Sequence, residues 1–378
     1  MPLEKLNYIL IAWILAFVVS FVLYPFYIKF LRKIKAGKTL RDDATSWWKA
    51  TIFNKLHANK KWTPTMWWAL ILLVVAIFVI ASIFFKKLWY VNYSLLERSE
   101  TYILLFAFFS MWILWLIDDF LNIKWIWKVK WLTAKIKLVW MFLFSAFISY
   151  WMYFKLGIDY IILWNEEIHI WLLYFIFTFI FTVFVVNAVN ITDWLDWLAW
   201  WIIVMILFAL WVITFFQGWY VATALLSIIS ASLVAFLWYN INPSKVFMWD
   251  SGALALWGII ASVIYLLWIK LWIWVIVIPL FLILFAELIS SFLQIFWKKI
   301  FKKKLFHIAP LHHEFEYKWY EEHSIVMKFW LVQAVLTILA LVIFFYQVNL
   351  KNAQWIQKTT WFNWQGNYFV AEKKARNC

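Results

Sequence analysis

Five aspartates occupy three places where a strongly apolar chain has little reason to keep them. Asp118 and Asp119 end the run WLIDDF, Asp193 and Asp196 lie three residues apart in NAVNITDWLDWLAW, and Asp250 precedes the small-residue run of VFMWDSGALAL. Adjacent carboxylates repel one another, and the negative end of a helix adds to the repulsion, so the 118–119 pair wants a cation. Asp193 and Asp196 can share a face of the helix that begins the next apolar run, where capping alone accounts for one of them. Asp250 reads equally well as a helix cap. A basic stretch, KKIFKKKLFHIAPLHHEFEYKW, carries His307, His312, His313 and Glu314. Its lysines suit anionic headgroups or phosphates, and its imidazoles can hydrogen-bond or protonate a phosphate. Zinc fits less well, because adjacent side chains are not at helical ligand spacing and no cysteine is near. NKKWTPTMWW adds Lys60, Lys61, Thr63 and Thr65, which taken alone read as a membrane anchor. Together these groups suit phosphoryl transfer assisted by Mg2+, which takes one or two carboxylates plus phosphate oxygens and water.

Membrane helices must position these residues. Of 378 residues 67% are hydrophobic and 14% charged, with a formal net charge of +15, which is the composition of an all-α integral membrane protein. Ten apolar runs, near 6–27, 65–85, 102–117, 136–156, 168–186, 198–216, 221–238, 253–269, 273–295 and 325–347, are each long enough for a span. In lipid their backbones can be satisfied only as helices. The first run is too long for a signal-peptide core and lacks a small-residue cleavage site, so it reads as retained. Residues 1–347 form one transmembrane domain on this reading, and 348–378 a polar tail. Cys378 is the sole cysteine, which excludes internal disulfides and cysteine metal sites. Loops after the odd-numbered spans hold 21 Lys or Arg and those after the even-numbered spans 4. That bias places the odd loops, and every constellation above, on the cytoplasmic face with both termini outside.

Glycine and tryptophan are abnormal in opposite directions. Glycine at its usual frequency would number about 26, yet there are 6 glycines and 34 tryptophans. The deficit and the excess match, as they would if UGA codons meaning glycine in the source were read as tryptophan. Aromatic belts would instead cluster at span ends, whereas pairs such as Trp67-Trp68 and Trp200-Trp201 fall where close backbone approach is expected.

TPTMWW, LIDDF, NAVNITDWLDWLA, FLWYN, VFMWDSGALALWG and APLHHEFEYKW resemble, in order, the signatures of the phospho-N-acetylmuramoyl-pentapeptide transferase family. Trp62, Trp67, Trp68, Trp194, Trp197, Trp249, Trp257 and Trp319 stand where that family has glycine, while Trp238 and Trp330 fall where it accepts Trp. The resemblance, over roughly residues 40–345, implies transfer of phospho-MurNAc-pentapeptide from UDP-MurNAc-pentapeptide to undecaprenyl phosphate, with Mg2+, giving lipid I and UMP. It implies that Asp118 and Asp119 are the aspartate pair, the first a base toward the lipid phosphate. Asp250 matches the Mg2+ ligand, with Asp193 a second candidate ligand. Asn190, Asp193, Asp196, Asn240 and Phe247 match positions that hold the nucleotide, Phe247 by stacking on uracil. Lys60 and Thr65 match a lysine and a threonine near the uridine and diphosphate, and His312 and His313 the first two members of a histidine triad. The implied partners are both substrates, the lipid bilayer and a second copy in a homodimer, with no nucleic acid. The implied location is the bacterial inner membrane.

Two departures stand out. The third histidine is Glu314, and the basic residue expected three or so positions after the aspartate pair is Asn122, leaving Lys124, Lys128 or Lys137 to neutralise the diphosphate. Direct attack by the lipid phosphate and a phospho-aspartate intermediate both remain open. The alternatives are a polyprenyl-phosphate N-acetylhexosamine-1-phosphate transferase, an ion-coupled transporter and a non-catalytic scaffold. The APLHHEFEYKW run disfavours the first. The second predicts charges near span midpoints and related halves.

Overall fold

A computed structural model describes residues 2–34, 68–87, 94–96, 101–110, 113, 134–156, 160–163, 166–169, 171–193, 195, 197–241, 251–267, 273–318, 320–362 and 368–370. Its helices are α1 (Pro2–Lys33), α2 (Trp68–Lys87), α3 (Thr101–Ser110), α4 (Ala134–Leu156), α5 (Trp171–Thr192), α6 (Leu198–Phe216), α7 (Tyr220–Asn240), α8 (Ser251–Leu267), α9 (Ile273–Phe301), α10 (Leu311–Tyr317) and α11 (Glu322–Thr359). Seven helices among the described residues are long and apolar enough to cross a membrane. The remaining apolar runs hold α3, α4 and α8, so each of the ten expected spans carries a helix. The fold is that of an all-α multi-pass membrane protein. Two small antiparallel hairpins, absent from the sequence reading, are added to it: β1 (Tyr160–Leu163) with β2 (Glu166–His169), and β3 (Thr360–Phe362) with β4 (Tyr368–Val370).

Helix α7 is the axis of the bundle, flanked by α1, α6 and α2. Ala16, Ser20, Tyr24, Ile28 and Leu31, spaced three or four apart on α1, are all buried, the stripe expected of one helix pressed on another. On α11 the stripe Leu331, Val335, Ile338 and Val342 is exposed instead, the face such a helix offers to lipid. Lipid gives little apolar incentive for helices to associate, so small polar side chains carry much of the pairing. Ser20 Oγ donates to Ser232 Oγ at 3.0 Å and Trp13 Nε1 to Ser230 Oγ at 3.2 Å, joining α1 to α7. Tyr265 of α8 donates to the Thr178 carbonyl of α5 at 2.8 Å. Gln333 of α11 donates to the Leu280 carbonyl of α9 at 3.1 Å.

Helix α6 ends in a glycine turn. Gly218, at φ 79°, donates to the Phe215 carbonyl at 3.0 Å, and Trp219 N–H to that of Thr214 at 2.9 Å, so two otherwise orphaned carbonyls are satisfied. Apart from Gly218 itself and its two chain neighbours, nothing lies within 4 Å of where a Cβ would sit on it; the dihedral, not crowding, favours glycine there.

Candidate functional site

The turn between α5 and α6 is built differently from its sequence expectation. Helix α5 runs through Thr192, and Asp193 N–H still donates to the Val189 carbonyl at 2.9 Å. Asp193 therefore closes α5 rather than opening α6, whose first turn holds no acid. The expected shared face on the sixth span is corrected accordingly: the N-cap of α6 is Trp197, at φ 66° and ψ −14°, with no side-chain cap. Helix α5 ends at Thr192 and α6 starts at Leu198, with the left-handed Trp197 immediately before α6. Half-buried Asp193 meets the negative end of the α5 dipole, which favours a neighbouring cation.

Asn240, the last residue of α7, is buried, and its Oδ1 accepts the Trp197 backbone N–H at 3.3 Å. The Trp197 ring lies 5.5 Å from that of Trp330 on α11, and Trp201 lies 5.2 Å from the same ring. These contacts gather the start of span six, the end of span seven and the start of the last span at one end of the bundle. Asn190, half-buried on the last turns of α5, lies three residues before Asp193 and so on the same side of that helix.

The histidine loop is ordered by carboxylates. His312, fully buried on α10, places Nδ1 3.0 Å from Glu287 Oε2 of α9, and Glu287 is fully buried too. His313 Nδ1 pairs with Glu316 one turn along, and the rings of His312 and His313 lie 4.2 Å apart. Glu314, the departure from the expected triad, bonds His307 Nδ1 at 3.0 Å, accepts the Ile308 N–H at 3.1 Å and meets Lys318 Nζ at 3.4 Å. Burial pushes its carboxyl up, but the bonds from His307, Ile308 and Lys318 outweigh this and hold it below the usual carboxylate range. Glu314 thus ties the loop together and offers no donor. Sequence reasoning passed over Glu287; its signal was a lone acid inside an apolar run.

Of the expected site residues, Asn190, Asp193, Asn240, His312 and His313 are described, and the turn carrying Asp193 is brought against Asn240. Lys60, Thr65, Asp118, Asp119, Asp196, Phe247 and Asp250 lie outside the described residues. Among the described residues no three His, Cys, Asp or Glu side chains gather as a metal site.

The profile of Glycosyl transferase family 4 matches residues 101–269. The phospho-N-acetylmuramoyl-pentapeptide-transferase of Caldanaerobacter subterraneus subsp. tengcongensis is 33% identical over 346 residues, covering 90% of this chain and 99% of the relative. The chain belongs to the phospho-N-acetylmuramoyl-pentapeptide-transferase family. Members from Caldicellulosiruptor bescii and Thermoanaerobacter sp. are similar at 33% over 333 residues and 30% over 349 residues, covering 88% and 91% of this chain and 96% and 100% of the relatives. Membership sharpens the reading of Trp197. Trp197, which the resemblance matched to a glycine, adopts the left-handed backbone conformation that glycine enters without strain.

Proposed function

We propose that this chain transfers phospho-MurNAc-pentapeptide from UDP-MurNAc-pentapeptide to undecaprenyl phosphate, forming lipid I and UMP at the cytoplasmic face of a bacterial inner membrane. The observation that carries this reading is the 33% identity to a phospho-N-acetylmuramoyl-pentapeptide-transferase over 99% of that protein's length. In the reaction a lipid phosphate oxygen attacks the β-phosphorus of the donor. A new P–O bond forms, the bond from that phosphorus to the bridging oxygen breaks, and UMP leaves with the bridging oxygen.

Asp118 takes the proton of the lipid phosphate, with Asp119 beside it. His312 and His313 face the diphosphate, while Lys60 and Thr65 contact diphosphate and uridine. Asn190, Asp193, Asp196 and Asn240 hold the nucleotide, and Phe247 stacks on uracil. The candidate metal ligands, Asp250 and Asp193, are hard carboxylate oxygens, the donors Mg2+ prefers. Mg2+ held there would neutralise the charge that builds on the phosphoryl oxygens. The buried Asn240 amide, tied to the Trp197 N–H at 3.3 Å, fixes the turn on which Asp193 and Asp196 are carried.

Purified protein given undecaprenyl phosphate and Mg2+ is expected to release UMP from UDP-MurNAc-pentapeptide and not from UDP-GlcNAc. The opposite preference would make it an N-acetylhexosamine-1-phosphate transferase, and release from neither would favour a scaffold.

A further inference from the structure

Glu287 lies midway along α9 with no exposed surface. A carboxylate enclosed in a span is costly, and it persists where a partner and a task hold it there. Its partner comes from a different element: α10 brings His312 Nδ1 to 3.0 Å from Oε2, and the His312 backbone N–H points to the same oxygen at 3.5 Å. The other histidine–carboxylate pairs described in this region are local, His313 with Glu316 three residues on, His307 with Glu314 seven on and His323 with Glu321 two back. Those pairs order the loop. The Glu287–His312 pair instead anchors the loop to the interior of the bundle. Once Nδ1 is given to Glu287, the one polar atom left on the ring is Nε2, on the far side. It is buried and has no hydrogen-bond partner among the described residues, and the same holds for Glu287 Oε1.

We propose that Glu287 is a positioning residue for His312: it holds the imidazole by Nδ1–H so that Nε2 is the atom presented to a phosphate oxygen of the substrate. A hydrogen bond from one ring nitrogen to a carboxylate fixes both tautomer and ring orientation, and the carboxylate also offsets the charge of an imidazolium facing an anionic oxygen. This inference rests on the transfer reading above and adds to it a residue acting through His312 rather than on the substrate.

The test is a mutant cycle read in two ways. Glu287→Gln, which keeps shape and loses charge, is expected to lower kcat roughly 10–100-fold with KM for the nucleotide donor within about twofold. The pH profile of kcat should shift as well. Introduced beside His312→Ala, Glu287→Gln should cost nothing further, because its effect passes through the ring. Glu287→Asp, which keeps the charge, should recover part of the loss. Equal losses in the two backgrounds, or wild-type kcat in Glu287→Gln, would overturn the proposal. Nitrogen NMR of histidine-labelled protein in lipid gives the second reading, with His312 assigned among the six histidines from its loss in His312→Ala. His312 is expected to be protonated at Nδ1 in the wild type and to change tautomer in Glu287→Gln; an unchanged signal would sink the idea. If Glu287→Gln does not accumulate, Glu287→Asp is read in the same cycle and the same spectrum. If the wild type transfers nothing from UDP-MurNAc-pentapeptide, the transfer reading fails, and the spectrum still decides the pair.

Discussion

Replacing Trp197 by glycine and, separately, by alanine isolates the backbone demand of the turn beside Asp193. Both substitutions remove the indole, and with it the contact to Trp330 at 5.5 Å, so the loss of packing is common to the two. They differ in one atom, Cβ. At φ 66° an L-residue pays roughly 1–2 kcal/mol that glycine does not. Glycine gives back about 0.4–1 kcal/mol through its freer unfolded chain. The balance favours Trp197→Gly over Trp197→Ala by about 1 kcal/mol, a factor of about 5 in the folded-to-unfolded ratio. Equilibrium unfolding of the two variants in mixed detergent, followed by circular dichroism, measures this directly. The same order is expected in UMP release, because the Trp197 N–H that holds Asn240 must stay aimed at it. An alanine variant equal to or more stable than the glycine variant would refute the reasoning.

Other expectations follow from the same geometry. Asn240→Ala leaves the Trp197 N–H without its acceptor and should cost about 1–3 kcal/mol, read as a lower unfolding midpoint together with weaker nucleotide binding. Gly218→Ala, at φ 79° with open space around it, should lose about 1 kcal/mol through its dihedral alone. Because the Glu314 carboxyl is held low in the folded chain, its stabilising contribution is complete above the unfolded carboxylate value and disappears as pH falls through the folded one. Limited proteolysis of the 302–321 segment should therefore accelerate toward acid, and Glu314→Gln should flatten that dependence. If the tryptophan excess reflects recoding, the codon for Trp197 is UGA, and UGG there would end that explanation.

The ten spans were legible because length and hydrophobicity suffice: a run that must satisfy its own backbone in lipid has one solution. The sixth, read as 198–216, has those same ends as α6. The third was read as 102–117, where α3 is described over Thr101–Ser110. The α5–α6 turn was misread because its strongest local signal was absent. A glycine at 197 would have announced a left-handed residue and a chain reversal, whereas tryptophan reads as one more apolar helical position. Glu287 was passed over for another reason. One acid in an apolar run carries no pattern, and its meaning depends on His312 being folded back from 25 residues away. Glu314 was recognised as a departure from a histidine triad, but its work with His307, Ile308 and Lys318 depends on loop geometry that no periodicity encodes. The hairpins β1–β2 and β3–β4 escaped because four- and three-residue strands leave almost no alternation to detect.

The most direct measurement is the mass of the lipid product made by purified protein from UDP-MurNAc-pentapeptide and undecaprenyl phosphate. A polyprenyl diphosphate carrying MurNAc-pentapeptide, formed together with one UMP and abolished in Asp118→Asn, is the expected result. Unchanged undecaprenyl phosphate, or a product bearing N-acetylhexosamine when both donors are offered, would contradict it.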